Sequence, residues 1–274
     1  MACGGIKMEQ ITDQQIHDLQ QKVLAYYKKK GRELPWRKTT DPYSILVSEI
    51  MLQQTQVDRV IPFYKNWLKN WPTVADLADA ESKEVMKAWN GLGYNRRARY
   101  LHETAQKIHN EYNDDVLEAM MHPKELPGIG PYTSQAVQIF AANKDIATVD
   151  TNIRRIFIHA FGIGEKTTDK ELQQLADRCL PKGKSREWHN ALMDYGATLV
   201  TARKTGIKPK TIQTKFEGSD RQIRGEIVRD LMVENKTAKQ LIQHIGEETE
   251  RVNKILEQMK KEQVIFEKNG RLSL

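Results

Sequence analysis

The chain has 274 residues, 39% of them hydrophobic and 29% charged, with a formal net charge of +7. Length and apolar content support a sizeable core divided between two domains, while two cysteines, Cys3 and Cys179, exclude a disulfide framework and a four-thiolate metal centre. No apolar run approaches a membrane span and MACGGIKMEQ lacks a signal-peptide core, so a cytoplasmic protein is expected; the basic excess permits a polyanionic partner without requiring one.

Thr12 and Gln15 have the spacing of a capping box, which opens a helix carrying Ile16, Leu19, Val23 and Tyr26 or Tyr27 toward a core. The same signal recurs at Thr73 with Asp76 and at Thr168 with Glu171. Apolar spacings of three and four run through residues 43–70, 82–110, 131–142, 150–162, 169–180 and 186–200, with almost no strand-like alternation. A mainly α domain over residues 1–205 follows. Gly, Pro and Lys then replace the periodic hydrophobics, predicting a linker at 206–217. Beyond it, IRGEIVRDLMV, TAKQLIQHI and ERVNKILEQMKKE predict three short helices, and VIFEKNGRLSL two short strands around Lys268, Asn269 and Gly270. That order resembles a small winged helix-turn-helix domain over 218–274. Its net charge is only +1 against +6 upstream, so it is expected to contact DNA weakly, through Arg221, Arg224, Lys260, Lys261, Lys268 and Arg271, or to contact protein. Glu247, Glu248 and Glu250 would repel phosphate where a recognition helix normally approaches.

Three stretches carry chemistry. In ELPGIGPYTSQAV (125–137) a short helix is expected to end at Leu126, the glycine turn to expose N–H groups of Gly128, Ile129 and Gly130, and Pro131 to open the next helix where its missing N–H costs nothing. Such amides attract phosphate, although a plain helical hairpin would have the same outline. In TVDTNIRRI (148–156) Asp150 precedes an apolar-periodic helix, the position of an N-cap; a capping carboxylate is expected to stay ionised, as a fixed anion opposite a cationic sugar would need. In LVSEIMLQQTQVDRV (46–60) Glu49 interrupts a helix that is apolar nearly all round. Most helical glutamates are solvated. One in an apolar pocket holds its proton toward neutral pH, and a protonated carboxyl acting with an ionised one is a pairing that breaks glycosidic bonds.

LPWRKTTDPYSILVSEIMLQQTQVDRVIPFY, WNGLGYNRRARYL, LPGIGPYT, VDTNIRRI and ALMDYGA follow one another over about residues 30–200 in an order that resembles the helix-hairpin-helix DNA glycosylases, most closely the MutY-type adenine glycosylases. The resemblance implies that Glu49 protonates the adenine ring, that Asp150 stabilises the sugar cation or its adduct, and that Asn152 organises that carboxylate. Tyr132 stands where related glycosylase-lyases have Lys, which implies a monofunctional enzyme with little strand nicking. Gln54 and Tyr94 match residues that enter the duplex beside the orphaned base, with Thr55 and Leu92 close to it; Tyr94 taken alone would read as a core aromatic. Trp36 and Arg37 match positions at or supporting the adenine pocket, and Trp36 equally suits core packing.

The sequence departs from the family in two ways. Relatives place a four-cysteine iron-sulfur cluster after the MDxGA helix, whereas Val200 stands here at the first cysteine position, so neither metal nor cofactor is expected. The domain that recognises 8-oxoguanine is replaced by the winged-helix segment, and Asn95 replaces a second Tyr of GLGYY. The expected partner is double-stranded DNA with a mispair or damaged base, and the expected reaction is release of adenine opposite 8-oxoguanine or guanine in base excision repair. The alternatives are a thymine or uracil glycosylase acting on G:T or G:U, and a catalytically silent DNA-binding protein.

Overall fold

The computed structural model describes residues 8–209 and 215–274, so Cys3 and part of the expected linker, 210–214, lie outside the described residues. The described chain is mainly helical. It runs α1 (Asp13–Lys30), α2 (Pro42–Leu52), α3 (Val57–Asn70), α4 (Val74–Ala78), α5 (Ser82–Trp89), α6 (Arg96–Tyr112) and α7 (Val116–Ala119). It continues through α8 (Pro131–Ala142), α9 (Thr151–Phe161), α10 (Asp169–Cys179), α11 (Ser185–Thr198) and α12 (Ala202–Thr205). Last come α13 (Asp220–Val233), α14 (Ala238–Ile245), α15 (Thr249–Lys261) and the hairpin β1 (Phe266–Lys268) and β2 (Arg271–Ser273). No described helix is long and apolar enough to cross a membrane.

The helix starts follow from local chemistry. The Thr12, Thr73 and Thr168 boxes all form, each threonine accepting from the backbone N–H three residues on while that residue's side chain accepts in return, and Thr237 with Gln240 adds a fourth. Two periodic stretches are broken where the sequence pattern ran on: 43–70 divides at Gln53–Gln56, and 82–110 divides at Asn90–Asn95. In each break a residue with a Cβ adopts the left-handed backbone, Gln54 at φ 56° and Tyr94 at φ 49°.

By contact density the chain forms two compact units, residues 1–45 with 129–212, and residues 46–128 with 213–274. In the first, α1, α9, α10 and α11 enclose a core of Ile16, Leu19, Val23, Ile153, Ile156, Phe157, Leu172, Leu175, Trp188 and Leu192. In the second, α6 packs on α4, α5 and α7, and Trp67 sets its ring edge-on to Trp71 and Trp89, at 4.8 and 5.5 Å. The C-terminal segment of this unit is the expected three helices and hairpin. Its strands pair antiparallel with Lys268 opposite Arg271, and Asn269 and Gly270 both take positive φ, 52° and 70°, as a two-residue hairpin turn requires.

Candidate active site

Asp150 caps α9 as its position in VDTN suggests. Its Oδ1 accepts from the Ile153 N–H at 2.7 Å and its Oδ2 from the Asn152 side-chain amide at 3.1 Å. Asn152 in turn accepts from Arg155 at 3.2 Å, and the same Arg155 nitrogen donates to the Val200 carbonyl. The carboxylate is therefore oriented by one backbone N–H and by a chain of two side chains, Asn152 and Arg155. Burial pushes the Asp150 pKa up, while the donations from Ile153 and Asn152 and the Arg155 charge work against that rise. Behind this segment His189 is buried. Its Nδ1 lies 2.8 Å from the Ser185 carbonyl and must be the protonated nitrogen, which leaves Nε2 to accept from the Thr148 N–H at 3.2 Å. Burial lowers its pKa, in keeping with a neutral ring.

ALMDYGA serves the same unit structurally. Asp194, 1% exposed, accepts from the Arg32 backbone and side chain at 2.8 and 2.6 Å and from both terminal nitrogens of Arg37 at 2.8 and 2.9 Å. Burial alone would raise its pKa, but these donors hold it below the usual carboxylate range. Arg37, expected at the adenine pocket or supporting it, binds Asp194 and the carbonyls of Arg32 and Asn190. Trp36 is buried beside it in sequence, at 8% exposure. Gly196 admits α9 closely, since a Cβ there would lie 3.1 Å from Ile156 and 3.3 Å from Asn152.

In the second unit Glu49 is half-buried on α2, between Ser48 and Ile50, and α2 buries Tyr43, Ser44, Ile45, Leu46, Val47, Ile50 and Met51 as well. Just beyond the helix end stand Gln54, exposed, and Thr55, half-buried. Tyr94 is 37% exposed rather than core, whereas Leu92, expected near the orphaned base, is 4% exposed and turned inward. One residue joins these two turns, and the motif reading passed over it. Arg97 donates from Nη1 to the carbonyls of Ile50, Met51 and Gln53 at 2.8, 2.9 and 2.8 Å, and from Nη2 to Thr55 Oγ1 and the Gly93 carbonyl at 3.1 Å each. It supplies donors to the orphaned carbonyls at the end of α2. Its guanidinium also lies over the rings of Trp89 and Tyr94, at 5.0 and 5.5 Å. Of the three arginines in NRRARYL, only Arg97 shares the stripe of Leu101, Ala105 and Ile108, the one sequence signal that distinguishes it.

The glycine hairpin takes the expected course. A 3₁₀ turn, Pro123–Glu125, ends at Leu126, and Pro131 is the first residue of α8 with Gly130 at its N-cap. Thr104 donates to the Pro127 carbonyl at 2.9 Å, and Gly128 has φ 71°; a Cβ there would stand 2.5 Å from the Tyr100 ring. Glycine is thus required twice over, by backbone conformation and by close approach. Ile129 is 7% exposed, and Tyr132 is half-buried in the first turn of α8.

The profile of the HhH-GPD superfamily of base excision DNA repair proteins matches residues 47–182. An adenine DNA glycosylase of Mycolicibacterium smegmatis is 38% identical over 228 residues, covering 75% of this chain and 78% of that protein. The chain belongs to the HhH-GPD superfamily. Among solved structures, a thermostable thymine-DNA glycosylase superimposes with a TM-score of 0.64 at 30% identity, covering 70% of this chain and 91% of the other. A trapped endonuclease III–DNA intermediate superimposes at 0.63, covering 73% and 91%, but at 19% identity that match speaks to fold alone.

The iron-sulfur cluster associated with the resemblance does not fit the residues this HhH-GPD chain presents. Val200, at the position of the first thiolate, is 2% exposed and packs into the core of the first unit. Cys179 is buried in that core, and burial pushes its thiol up to about 12, far from the thiolate a cluster needs. Among the described residues no group of three or more His, Cys, Asp and Glu side chains is placed to hold a metal ion.

Proposed function

We propose that the chain is a monofunctional DNA glycosylase that releases adenine paired with 8-oxoguanine or guanine and works without an iron-sulfur cluster. The observation that carries this reading is the Asp150 carboxylate, fixed at the N-terminus of α9 by Ile153, Asn152 and Arg155 in a chain that shares 38% identity with an adenine DNA glycosylase. A poorly solvated anion attracts a developing oxocarbenium more strongly than one in water, and that attraction grows as the glycosidic bond breaks. Glu49, half-buried on a helix whose other side chains are apolar apart from Ser44 and Ser48, is the general acid for the departing adenine. Tyr132 offers no amine for a Schiff base, so the abasic product is released with its strand intact.

Extrusion of the base costs a few kcal/mol of stacking, and Gln54 and Tyr94, exposed on their turns, are the side chains that enter the duplex to offset it. The three C-terminal helices and hairpin form a winged helix, and the enzyme works inside the cell on chromosomal DNA. Single-turnover release from a panel of mispaired duplexes, read by alkaline cleavage, tests the assignment. Asp150→Asn is expected to abolish release while sparing DNA binding, and undiminished release would refute the role given to Asp150.

Thymine or uracil release from G:T or G:U is the second reading, favoured by the 30% identity with a thymine-DNA glycosylase. The same panel separates the two. A silent DNA-binding protein would have no use for two carboxylates at these positions, and the panel would reveal it as inactive on every duplex.

A further inference from the structure

The C-terminal segment is built into the second unit. Arg99 of α6 donates to the carbonyl of Glu262, at the end of α15, and to the Gln263 side chain at 2.6 Å, while Arg224 of α13 pairs with the Glu262 carboxylate. This places the start of α13 against the turn that carries Tyr94. Arg221 donates to the Tyr94 hydroxyl at 3.0 Å, and its guanidinium lies 5.7 Å from the centre of that ring. Tyr94 thus has one arginine from α6 and one from α13 against its ring, at 5.5 and 5.7 Å.

The contact encloses a cleft of about 400 Å³ whose lining includes Gln54, Tyr94, Arg96, Arg97, Arg221 and Arg224. Four guanidinium groups and a single carboxylate, Glu262, face it. Glu262 is half-buried, which alone would raise its pKa, yet donation from Gln258 and Arg224 and the charge of Arg96 hold it low, so it stays ionised and neutralises only one of the four. Arg97 is committed to carbonyls and Arg224 to Glu262, while Arg221 donates to the Tyr94 hydroxyl and, at 3.4 Å, to the Lys215 carbonyl, exposed contacts that a phosphate can replace or share. A guanidinium presents paired N–H donors with the spacing of phosphate oxygens, and partial burial strengthens each contact relative to water.

We propose that α13 completes a phosphate-binding cleft at the DNA-probing edge of the protein, in which Arg221 and Arg96 take a backbone phosphate of the duplex beside Tyr94 and Gln54. The C-terminal segment then acts in the same contact as the side chains that enter the DNA, despite its small overall charge. Arg224 is a positioning residue here, because its pairing with Glu262 ties α13 to the end of α15. The proposal rests on the reading of the chain as a DNA-binding glycosylase and adds to it the identity of the contacts.

The test is the salt dependence of duplex affinity for the full chain and for Arg221→Ala, Arg96→Ala and Arg221→Lys, on a fully paired duplex and on the same duplex carrying one A:G mispair. Loss of one phosphate contact flattens the slope of log affinity against log salt by about 0.9, so between roughly 50 and 200 mM salt each alanine variant should lose about threefold less affinity than wild type. The effect should be equal on both duplexes, with Arg221→Lys close to wild type and all melting curves superimposable. Unchanged slopes in both alanine variants would overturn the proposal. So would a loss confined to the mispaired duplex, which would make the cleft a reader of bases. A wild-type chain that binds no duplex would overturn the glycosylase reading itself, and this one with it.

Discussion

Replacing Arg97 with Met keeps the length of the side chain and removes every donor. Its two terminal nitrogens carry four hydrogens shared among the carbonyls of Ile50, Met51, Gln53, Leu92 and Gly93 and the Thr55 hydroxyl. At about 1.5–3 kcal/mol for a bond involving a charged group, the gross contribution is on the order of 6–12 kcal/mol. Burying the charge works against this: burial drives the pKa down to about 10 from 12.5, equivalent to about 3 kcal/mol, with Tyr94 pulling slightly the other way. The methionine would also recover some apolar packing beside Trp89. We therefore expect a net loss of about 3–5 kcal/mol, the range found when one member of a buried charged network is removed. At roughly 2–4 °C per kcal/mol this lowers the melting temperature by about 6–20 °C, read by calorimetry at pH 7. Single-turnover release of adenine, measured well below the new midpoint, should fall at least about tenfold, because the Gln54 and Tyr94 turns lose their common anchor. A variant that melts within about 2 °C of wild type and releases base at the wild-type rate would refute this account of Arg97.

Three further outcomes follow from the first unit and the hairpin. Asp194→Asn should cost about 3 kcal/mol at neutral pH by leaving Arg32 and Arg37 without their counter-charge. Because the folded-state pKa of Asp194 is lowered, its contribution is present above the ordinary carboxylate range and lost as pH falls through the lowered value, so chemical denaturation should find the two proteins converging in acid. Asp150→Asn has the opposite sign: with the carboxyl pKa raised by burial, the ionised form is a cost near neutrality, and a neutral residue that still caps the helix should leave the melting temperature at pH 7 unchanged or higher, a gain that disappears in acid. Gly128→Ala, at φ 71° and with a Cβ 2.5 Å from Tyr100, should destabilise by about 1–3 kcal/mol and weaken duplex affinity, measured by melting and by fluorescence anisotropy.

Much of this architecture is legible in the residues themselves. Threonine boxes mark three helix starts, Asn-Gly marks the terminal turn, and the Gly128 and Pro131 pattern specifies the hairpin because backbone sterics are local. The breaks at Gln54 and Tyr94 are not legible, since neither residue type signals a left-handed backbone and the carbonyls just before them, of Gln53 and Gly93, are bound by Arg97, which the fold brings to the α2 turn from more than forty residues away. The ion pair of Arg37 is equally invisible to local pattern, because its counter-ion, Asp194, lies 157 residues away. The rise in the Asp150 pKa likewise depends on how deeply the helix start is enclosed, which no spacing reveals. Glu49 shows the useful limit of pattern: its helix is buried as the apolar run suggests, and the acid stands half-covered among those residues.

One guanidinium shared between two turns makes them a single mechanical part. Through Arg97 the turn bearing Gln54 and the turn bearing Tyr94 hang on one anchor, so a displacement of either turn strains hydrogen bonds of the other.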